Sequence, residues 1–234
     1  MSATRLPGKP LLKIGGISII SHVVKKAKET GIGEVIVATE DNEIFNDVKK
    51  NNGEAIMTSK SNKTGTDRIW EAYKKLNLKD VDFIINLQGD EPLIDANDII
   101  NLDKMVKGNN SEIGTLAMTL ENKKTLLNEN IVKVKTKKTL HKNNSSLAES
   151  FFRKTIHNHK NFYQHIGIYE YKISCLEKFS QLDQTESEIK NRLEQLRALD
   201  NNINIDVILA KNKVLGVDTM EDYMELKKIM EYKS

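Results

Sequence analysis

The sequence is poor in cysteine and has no long apolar run, and each absence excludes a class of protein. A single cysteine, Cys175, among 234 residues excludes an internal disulfide and fits a reducing cytoplasm, where we expect the protein to act. No apolar run approaches the ~20 residues that a membrane-spanning helix needs, so no membrane insertion is expected. The first residues also lack the charged and apolar regions of a secretory signal.

Basic stripes, internal repeats and low-complexity tracts are absent from the sequence as well. Lys and Arg number 36 against 33 Asp and Glu, and these charges are interspersed along the chain. This pattern is typical of a solvated surface, and no nucleic-acid partner is expected because no basic stripe interleaves with aromatic residues. The hydrophobic content of 38% is enough for one core, and a single domain is predicted over residues 1–234.

The first part of the chain alternates short β-branched runs with longer amphipathic stretches. The predicted elements are strands at 34–40, 54–57 and 82–88 and helices at 17–31, 42–51 and 67–77. This alternation is typical of a parallel sheet with helices on both sides. The fold class predicted for the chain is therefore α/β with a mainly parallel central sheet.

The middle of the chain has a different pattern, in which apolar and polar residues alternate. Three such runs, at 114–120, 130–136 and 162–171, predict a small mixed or antiparallel section over about 112–171. The polar stretch 138–150 between them is expected to be a mobile connection. The end of the chain returns to the earlier rhythm: a helix is predicted at 186–200, a strand at 204–210 and a last helix from Met220.

Two acidic motifs follow predicted strands. The segment "NLQGDEPLI" (86–94) leaves a buried strand through Gly89 into Asp90 and Glu91, and "GVDTMEDY" (216–223) carries Asp218. Ligands of open α/β sheets bind beyond the carboxyl ends of the strands, and Mg²⁺ is held by one or two carboxylates together with phosphate oxygens. The motifs indicate a Mg²⁺ site, while turn residues and a helix N-cap at Asp218 remain the alternatives.

The opening stretch "SATRLPGKPLL" (2–12) has the composition of an anion-binding loop. Arg5 and Lys9 are cations on a short loop that Gly8 makes narrow and two prolines stiffen, which suits a polyphosphate. The Walker pattern of phosphate-binding loops does not occur in the sequence. A surface turn with incidental charges is the alternative interpretation.

Seven segments together carry a family resemblance. They are "TRLPGKPLL", "VIVATED", "TGTDRIWEA", "NLQGDEPLI", "HIGIYEY", "LEQLRAL" and "GVDTMEDY". In order and spacing they resemble the 3-deoxy-D-manno-octulosonate (Kdo) cytidylyltransferases, or CMP-Kdo synthetases, over nearly the whole chain. The resemblance implies a Rossmann-like nucleotidyltransferase that couples CTP to Kdo, giving CMP-Kdo and pyrophosphate for lipopolysaccharide. It also implies a homodimer, with the strands between 114 and 171 at its interface.

The resemblance also implies roles for individual residues. Arg5 and Lys9 would bind the β- and γ-phosphates of CTP, and Thr66 and Arg68 would lie against its cytidine. Asp90 and Asp218 would hold Mg²⁺ and, with Lys9, form the catalytic set. The implied wall of the sugar-acid pocket consists of Arg153, His165, Tyr169, Glu194 and Gln195. From the residues alone, the alternatives are that His165 and Tyr169 share a strand face and only pack, that Glu194 and Gln195 lie on the solvated face of a helix, and that Arg153 is a surface cation.

Two departures from the family pattern qualify the resemblance. The family usually begins with a strand and an Arg-bearing turn ahead of the first loop, whereas this sequence starts inside that loop, so a loss of stability and of a triphosphate ligand is expected. In addition, Phe152 precedes Arg153, and the connection from Arg153 to His165 is short. The alternatives are a cytidylyltransferase for another sugar acid, such as 8-amino-Kdo or a nonulosonate, and a catalytically poor nucleotide-binding fragment.

Overall fold

The computed structural model describes residues 6–120, 123–154, 160–212, 216–217 and 219–231. The chain divides into two compact units, and each is formed by separate stretches of sequence. The first unit comprises Met1–Leu78, Leu87–Ile99 and Lys213–Ser234, and the second comprises Lys79–Asn86 and Ile100–Asn212. A single domain over 1–234 stays a prediction. No helix in the described ranges has the length and apolar character needed to cross a membrane.

The first unit begins with a small hairpin that leads into a capped helix. Strands β1 (Lys13–Ile14) and β2 (Ile17–Ser18) pair antiparallel, and the turn between them has positive φ angles that two glycines supply. Helix α1 (Ile19–Glu29) follows at once. Its N-cap, Ser18, accepts a hydrogen bond from the Ser21 amide, which satisfies one of the helix's unpaired N–H groups.

The rest of the first unit contains a parallel strand pair with helices around it. Its elements are α2 (Asn42–Lys50), α3 (Gly65–Leu76), α9 (Met220–Glu231), β3 (Ile36–Thr39) and β4 (Glu54–Met57). Among the described residues, β3 pairs only with β4, in parallel register. A cluster of buried apolar residues lies elsewhere in this unit and is formed by Leu6, Ile14, Ile19, Val217 and Leu226.

The second unit contains a mixed sheet of six strands in the order β5-β9-β6-β10-β8-β7. The strands are β5 (Phe83–Asn86), β6 (Ile113–Thr119), β7 (Lys133–Thr136), β8 (Ser145–Phe152), β9 (Phe162–Lys172) and β10 (Ile205–Leu209). The long strand β9 runs antiparallel to β5 and β6, its neighbours on either side. In this sheet, the pairing of β6 with β10 is the parallel one.

Helices cover this sheet closely. The remaining helices are α4 (Ala96–Asn109), α5 (Lys123–Leu127), α6 (Ile173–Ser180), α7 (Glu186–Asn191) and α8 (Leu196–Asp200). Strand β6 carries Gly114 where α4 crosses it, and a Cβ there would lie 2.1 Å from Cγ2 of Val106. The glycine is therefore required for the close approach of helix and sheet.

The α/β fold class is confirmed, but the strand pairing differs from the expected one. In the second unit the sheet is mixed, because β9 lies antiparallel between β5 and β6, which share one direction with β10. The strands of 112–171 share this sheet with β5 and β10, and a dimerisation or sugar-binding section over these residues stays a prediction. Local spacing predicted most strands of this sheet but not β8, and the neighbours of each strand depend on pairings between residues far apart in the chain.

Two local predictions are also wrong. Part of the stretch expected to be a mobile connection, 138–150, belongs to β8, whose small residues Ser146 and Ala148 are buried. The helix predicted at 186–200 is two helices, because Arg192 adopts a left-handed conformation with φ of 53° and ends α7. Glu194 and Gln195 consequently lie in the connection between α7 and α8, not in the middle of a helix.

Candidate active site

The first loop places the side chain of Lys9 against two segments far away in the sequence. Gly8, with φ of 70°, precedes a 3-10 turn at Lys9–Leu11. The Nζ atom of Lys9 donates a 2.8 Å hydrogen bond to the main-chain oxygen of Val217 and forms an ion pair with the carboxylate of Asp90. Three separate segments of the first unit therefore meet at one ammonium group.

A main-chain hydrogen bond also holds the Asp90 segment next to Val217. The amide of Val217 donates a 3.0 Å hydrogen bond to the carbonyl oxygen of Asp90. A Cβ on the preceding Gly89 would lie 2.8 Å from Cδ1 of Ile20, so glycine allows the segment to approach α1. Asp218 follows Val217 in the sequence, but Asp218 and Arg5 both lie outside the described residues.

The oxygen ligands where Lys9, Asp90 and Val217 meet fit Mg²⁺. The Asp90 side chain is 28% exposed, and its carboxylate oxygens are the hard ligands that Mg²⁺ takes. No group of three or more His, Cys, Asp or Glu side chains within the described ranges is arranged to hold a metal ion. A site of one or two carboxylates completed by substrate phosphate oxygens has the composition usual for Mg²⁺, and it needs no such cluster.

Thr66 and Arg68, the residues expected near cytidine, lie close to the carboxyl ends of β3 and β4. The Arg68 guanidinium donates to Thr58 Oγ1 at 2.7 Å through Nη1 and forms an ion pair with Glu40 through Nη2. The bond from Arg68 lowers the pKa of Glu40. Thr66 is buried in the first turn of α3. This is the sheet edge at which ligands of parallel strands bind.

Glu71, which the sequence analysis did not single out, organises the loop ahead of α3. Its carboxylate accepts hydrogen bonds from the Ser59 amide at 2.9 Å and the Asn62 side chain at 2.6 Å, and it pairs with Lys75. Burial raises the pKa of Glu71, but the bonds from Lys75, Asn62 and Ser59 outweigh burial and lower it to about 2. The i,i+4 spacing of Glu71 and Lys75 was the only sign of this role in the sequence.

His165 and Tyr169 lie together on β9 in the second unit, as their spacing predicted. Their ring centroids are 5.4 Å apart, and Phe151 meets the His165 ring edge-on at 5.2 Å. The His165 Nε2 atom lies 2.9 Å from Thr115 Oγ1, and burial lowers the pKa of His165 to about 3. At neutral pH the imidazole is therefore uncharged and can exchange hydrogen bonds with a polar neighbour.

Arg153 is close to the connection that bears Glu194 and Gln195. Its guanidinium donates to the main-chain oxygens of Asn191 and Arg192, each at 3.0 Å, and Nη1 reaches the Glu129 oxygen at 3.3 Å. Gln195 is buried, with 9% of its surface exposed. The structure thus brings Arg153 to the end of α7, just before two of the other residues expected to bind the sugar acid.

A buried ion pair joins α7 to α8, the two helices that flank the connection bearing Glu194 and Gln195. The Arg197 guanidinium donates to both carboxylate oxygens of Glu188, at 2.8 and 2.6 Å, and lies 4.7 Å from the centroid of the Phe179 ring. Glu188 also forms a capping box with Thr185, a pattern that is visible in the sequence. The pair could not be recognised from sequence, because its spacing is not one of the standard helical pairings.

Comparison with known proteins identifies the family. The cytidylyltransferase family matches residues 1–206 of the chain. The 3-deoxy-manno-octulosonate cytidylyltransferases of Thermodesulfovibrio yellowstonii and Nitrobacter winogradskyi are 42% and 38% identical to it, over 94% and 98% of this chain and 91% of each relative. The chain belongs to the 3-deoxy-manno-octulosonate cytidylyltransferase family. The resemblance found in the seven sequence segments is thereby confirmed, as is the enzyme class of nucleotidyltransferase.

One solved structure supports this cytidylyltransferase assignment, and a second shares its fold. The structure of CMP:2-keto-3-deoxy-manno-octonic acid synthetase complexed with CTP is 33% identical and superposes with a TM-score of 0.86, covering 99% of this chain and 95% of that one. Apo UDP-glucose pyrophosphorylase superposes with a TM-score of 0.71 at 13% identity, over 100% of this chain and 96% of that one. At that identity the second likeness shows the shared nucleotidyltransferase fold alone.

Proposed function

We propose that the chain transfers a cytidylyl group from CTP to 3-deoxy-D-manno-octulosonate, giving CMP-Kdo and pyrophosphate. The observation that carries this proposal is the meeting of Lys9, Asp90 and Val217 in a member of the cytidylyltransferase family. These contacts bring the Lys9 ammonium, which suits an anion, to the carboxylate of Asp90. They also bring it to Val217, the residue that precedes the second acidic residue, Asp218. A nucleoside triphosphate needs both kinds of group, cations for its phosphates and carboxylates for its metal ion.

The proposed chemistry is an in-line displacement at the α-phosphorus of CTP. The anomeric hydroxyl of Kdo gives up its proton to water and forms the new P–O bond, and the bond to the pyrophosphate oxygen breaks with its electron pair leaving on pyrophosphate. Lys9 and Arg5 neutralise the charge that develops on the leaving group. Asp90 and Asp218 would hold Mg²⁺, which when bound would neutralise phosphate charge and make the attacking hydroxyl more acidic.

The remaining residues bind and orient the two substrates. Thr66 and Arg68 take the cytidine, and this is supported by their place at the carboxyl ends of β3 and β4. On the sugar-acid side, His165 offers an uncharged ring nitrogen, and Glu194 and Gln195 suit hydroxyl groups. Three of the five N–H donors of Arg153 are bonded to carbonyls, which leaves two for a carboxylate.

Pyrophosphate release from CTP with Kdo and Mg²⁺ tests the proposed function. Asp90→Asn keeps the side-chain shape but removes the charge, and we expect it to lower the rate by about 100-fold or more. Asp183→Asn, at an exposed position of the second unit, is the matched control and should release pyrophosphate like the wild type. A folded wild type that releases none, or releases it equally well without the sugar acid, would contradict the proposal.

A panel of sugar acids in the same assay decides the preferred substrate. We expect kcat/KM to be higher for Kdo than for 8-amino-Kdo or a nonulosonate, since the named relatives are Kdo enzymes.

A homodimer, a cytoplasmic location and a place in lipopolysaccharide synthesis belong to the same proposal. The single cysteine supports the location. Sedimentation measurements test the dimer directly.

A further inference from the structure

Lys133 is a charged residue in the interior of the second unit. It lies on β7 with 0% of its surface exposed, and its Nζ atom donates to the main-chain oxygens of Asn128 and Arg153, each at 2.6 Å. Burying an ammonium group is costly unless hydrogen bonds compensate for the lost water. A methionine of similar length would fill this space without that cost. The ammonium therefore contributes through the two carbonyls that it holds.

The second of these carbonyls belongs to Arg153, whose own side chain continues the chain of contacts. The Arg153 guanidinium donates to the oxygens of Asn191 and Arg192, at the end of α7. The last carbonyls of a helix have no partners within it, so an outside donor stabilises the helix end. Arg192 is also the left-handed residue at which the chain turns toward Glu194 and Gln195.

We propose that Lys133 and Arg153 act in series as positioning residues for the turn that presents Glu194 and Gln195 to the sugar acid. Lys133 holds the backbone of Arg153, and the Arg153 side chain then holds the start of the turn. Lys133 touches no substrate in this arrangement. The inference deepens the proposed function and rests on it for the identity of the ligand, but the clasp formed by Lys133 and Arg153 can be tested without turnover.

The charge environment of Lys133 is consistent with this clasp. Burial lowers the pKa of Lys133 to about 8; nearby Glu129 opposes that shift and the Arg153 cation adds to it. Glu129 also forms an ion pair with Lys154, at 3.2 Å. The ammonium is therefore largely protonated at neutral pH and keeps the donors that the two carbonyls require.

Hydrogen exchange measured by mass spectrometry tests the clasp in the full chain. We expect Lys133→Met to raise the exchange rate of peptides covering 189–196 by about tenfold. The matched control is Lys135→Met, on the same strand, where 43% of the lysine side chain is exposed and its ammonium pairs with Glu149. It should leave these peptides unchanged. Arg153→Lys, at a more accessible position, should also raise the exchange rate of these peptides, because a single ammonium cannot replace the planar guanidinium that reaches three carbonyls.

Kinetics then separate positioning from a general loss of stability. In folded Lys133→Met, whose side chain touches no substrate, we expect KM for the sugar acid to rise about tenfold or more while KM for CTP stays unchanged. Arg153→Lys also loses donors to the sugar acid, so its effect on the turn is judged by exchange alone. Unchanged exchange at 189–196 in Arg153→Lys, or an equal rise of both KM values, would overturn the inference. If Lys133→Met does not fold, Arg153→Lys carries the test. If the wild type makes no CMP-Kdo, the proposed function fails, while the exchange data still decide whether the clasp exists.

Discussion

The Nζ atom of Lys9 donates a hydrogen bond to the main-chain oxygen of Val217, 208 positions further along the chain. The same ammonium group pairs with Asp90, so the first loop is joined to two distant segments of the first unit. Only 13% of the Lys9 side chain is exposed. Because water screens it little, the charge of Lys9 acts on neighbouring anions more strongly than that of a surface lysine.

Replacement of Lys9 is the direct test of that role. Lys9→Met keeps the length of the side chain and removes its charge, and we expect kcat/KM for CTP to fall by about 100-fold. Steady-state pyrophosphate release measures the effect. Lys13→Met is the control, since Lys13 lies on the nearby strand β1 and is exposed. Equal activity of Lys9→Met and Lys13→Met would show that the ammonium of Lys9 does not act on the nucleotide.

Glu170 makes the stability of the second unit depend on pH. This residue of β9 has 0% of its surface exposed, and burial, together with nearby Asp103, raises its pKa to about 8 against the partial opposition of Lys107. The folded chain keeps a proton that the unfolded chain releases near pH 4.5. The stabilisation is full below about pH 4.5 and is lost as the pH rises through about 8.

Glu170→Gln tests this dependence because the amide is uncharged at every pH. Between pH 6 and pH 9, Glu170 should lower the free energy of unfolding of the wild type by up to about 1.4 kcal/mol per pH unit. The decrease should be smaller in the variant. Urea unfolding at the two pH values measures both. Glu177→Gln, exposed on α6, should behave as the wild type does. An identical pH dependence in Glu170→Gln would disprove the role of Glu170.

Cys175 should be unreactive in the folded protein. It is buried on α6, and burial, with nearby Glu112, raises the pKa of its thiol to about 12. The thiolate is the reactive form, so labelling by a disulfide reagent should be at least about 100-fold slower in buffer than in urea. The labelling rate is followed by absorbance. Fast labelling under conditions where the fold is intact would contradict the prediction.

The pair of Arg197 and Glu188 should be costly to break from one side. Burial raises the pKa of Glu188, but its bonds, chiefly that from Arg197, outweigh burial and lower it. Arg197→Met leaves this buried carboxylate without the guanidinium, and we expect a loss of about 3–5 kcal/mol in the free energy of unfolding. Urea unfolding measures the loss. The double variant Arg197→Met with Glu188→Leu should recover much of it, and a strictly additive double variant would contradict the coupling.

Local features of the sequence were sufficient for many elements and for the family. The strand at 54–57 has the predicted bounds, and α9 begins at Met220 as expected. Periodicity and caps act over a few residues, so they can be recognised without knowledge of the fold. The motif around Asp90 and the segments around His165 and Glu194 were likewise sufficient to recognise a cytidylyltransferase, because a family pattern is a property of residue order.

The partners of the key cations could not be recognised in this way. Nothing near Lys9 in the sequence points to Val217, and nothing near Arg153 points to the oxygens of Asn191 and Arg192. The position of β9 between β5 and β6 could not be recognised from the local sequence either. These contacts join residues far apart in the chain, and the choice among many possible partners depends on the packing of the whole unit. Residue order thus specified the family and the local elements, whereas folding selected the partners that position each functional side chain.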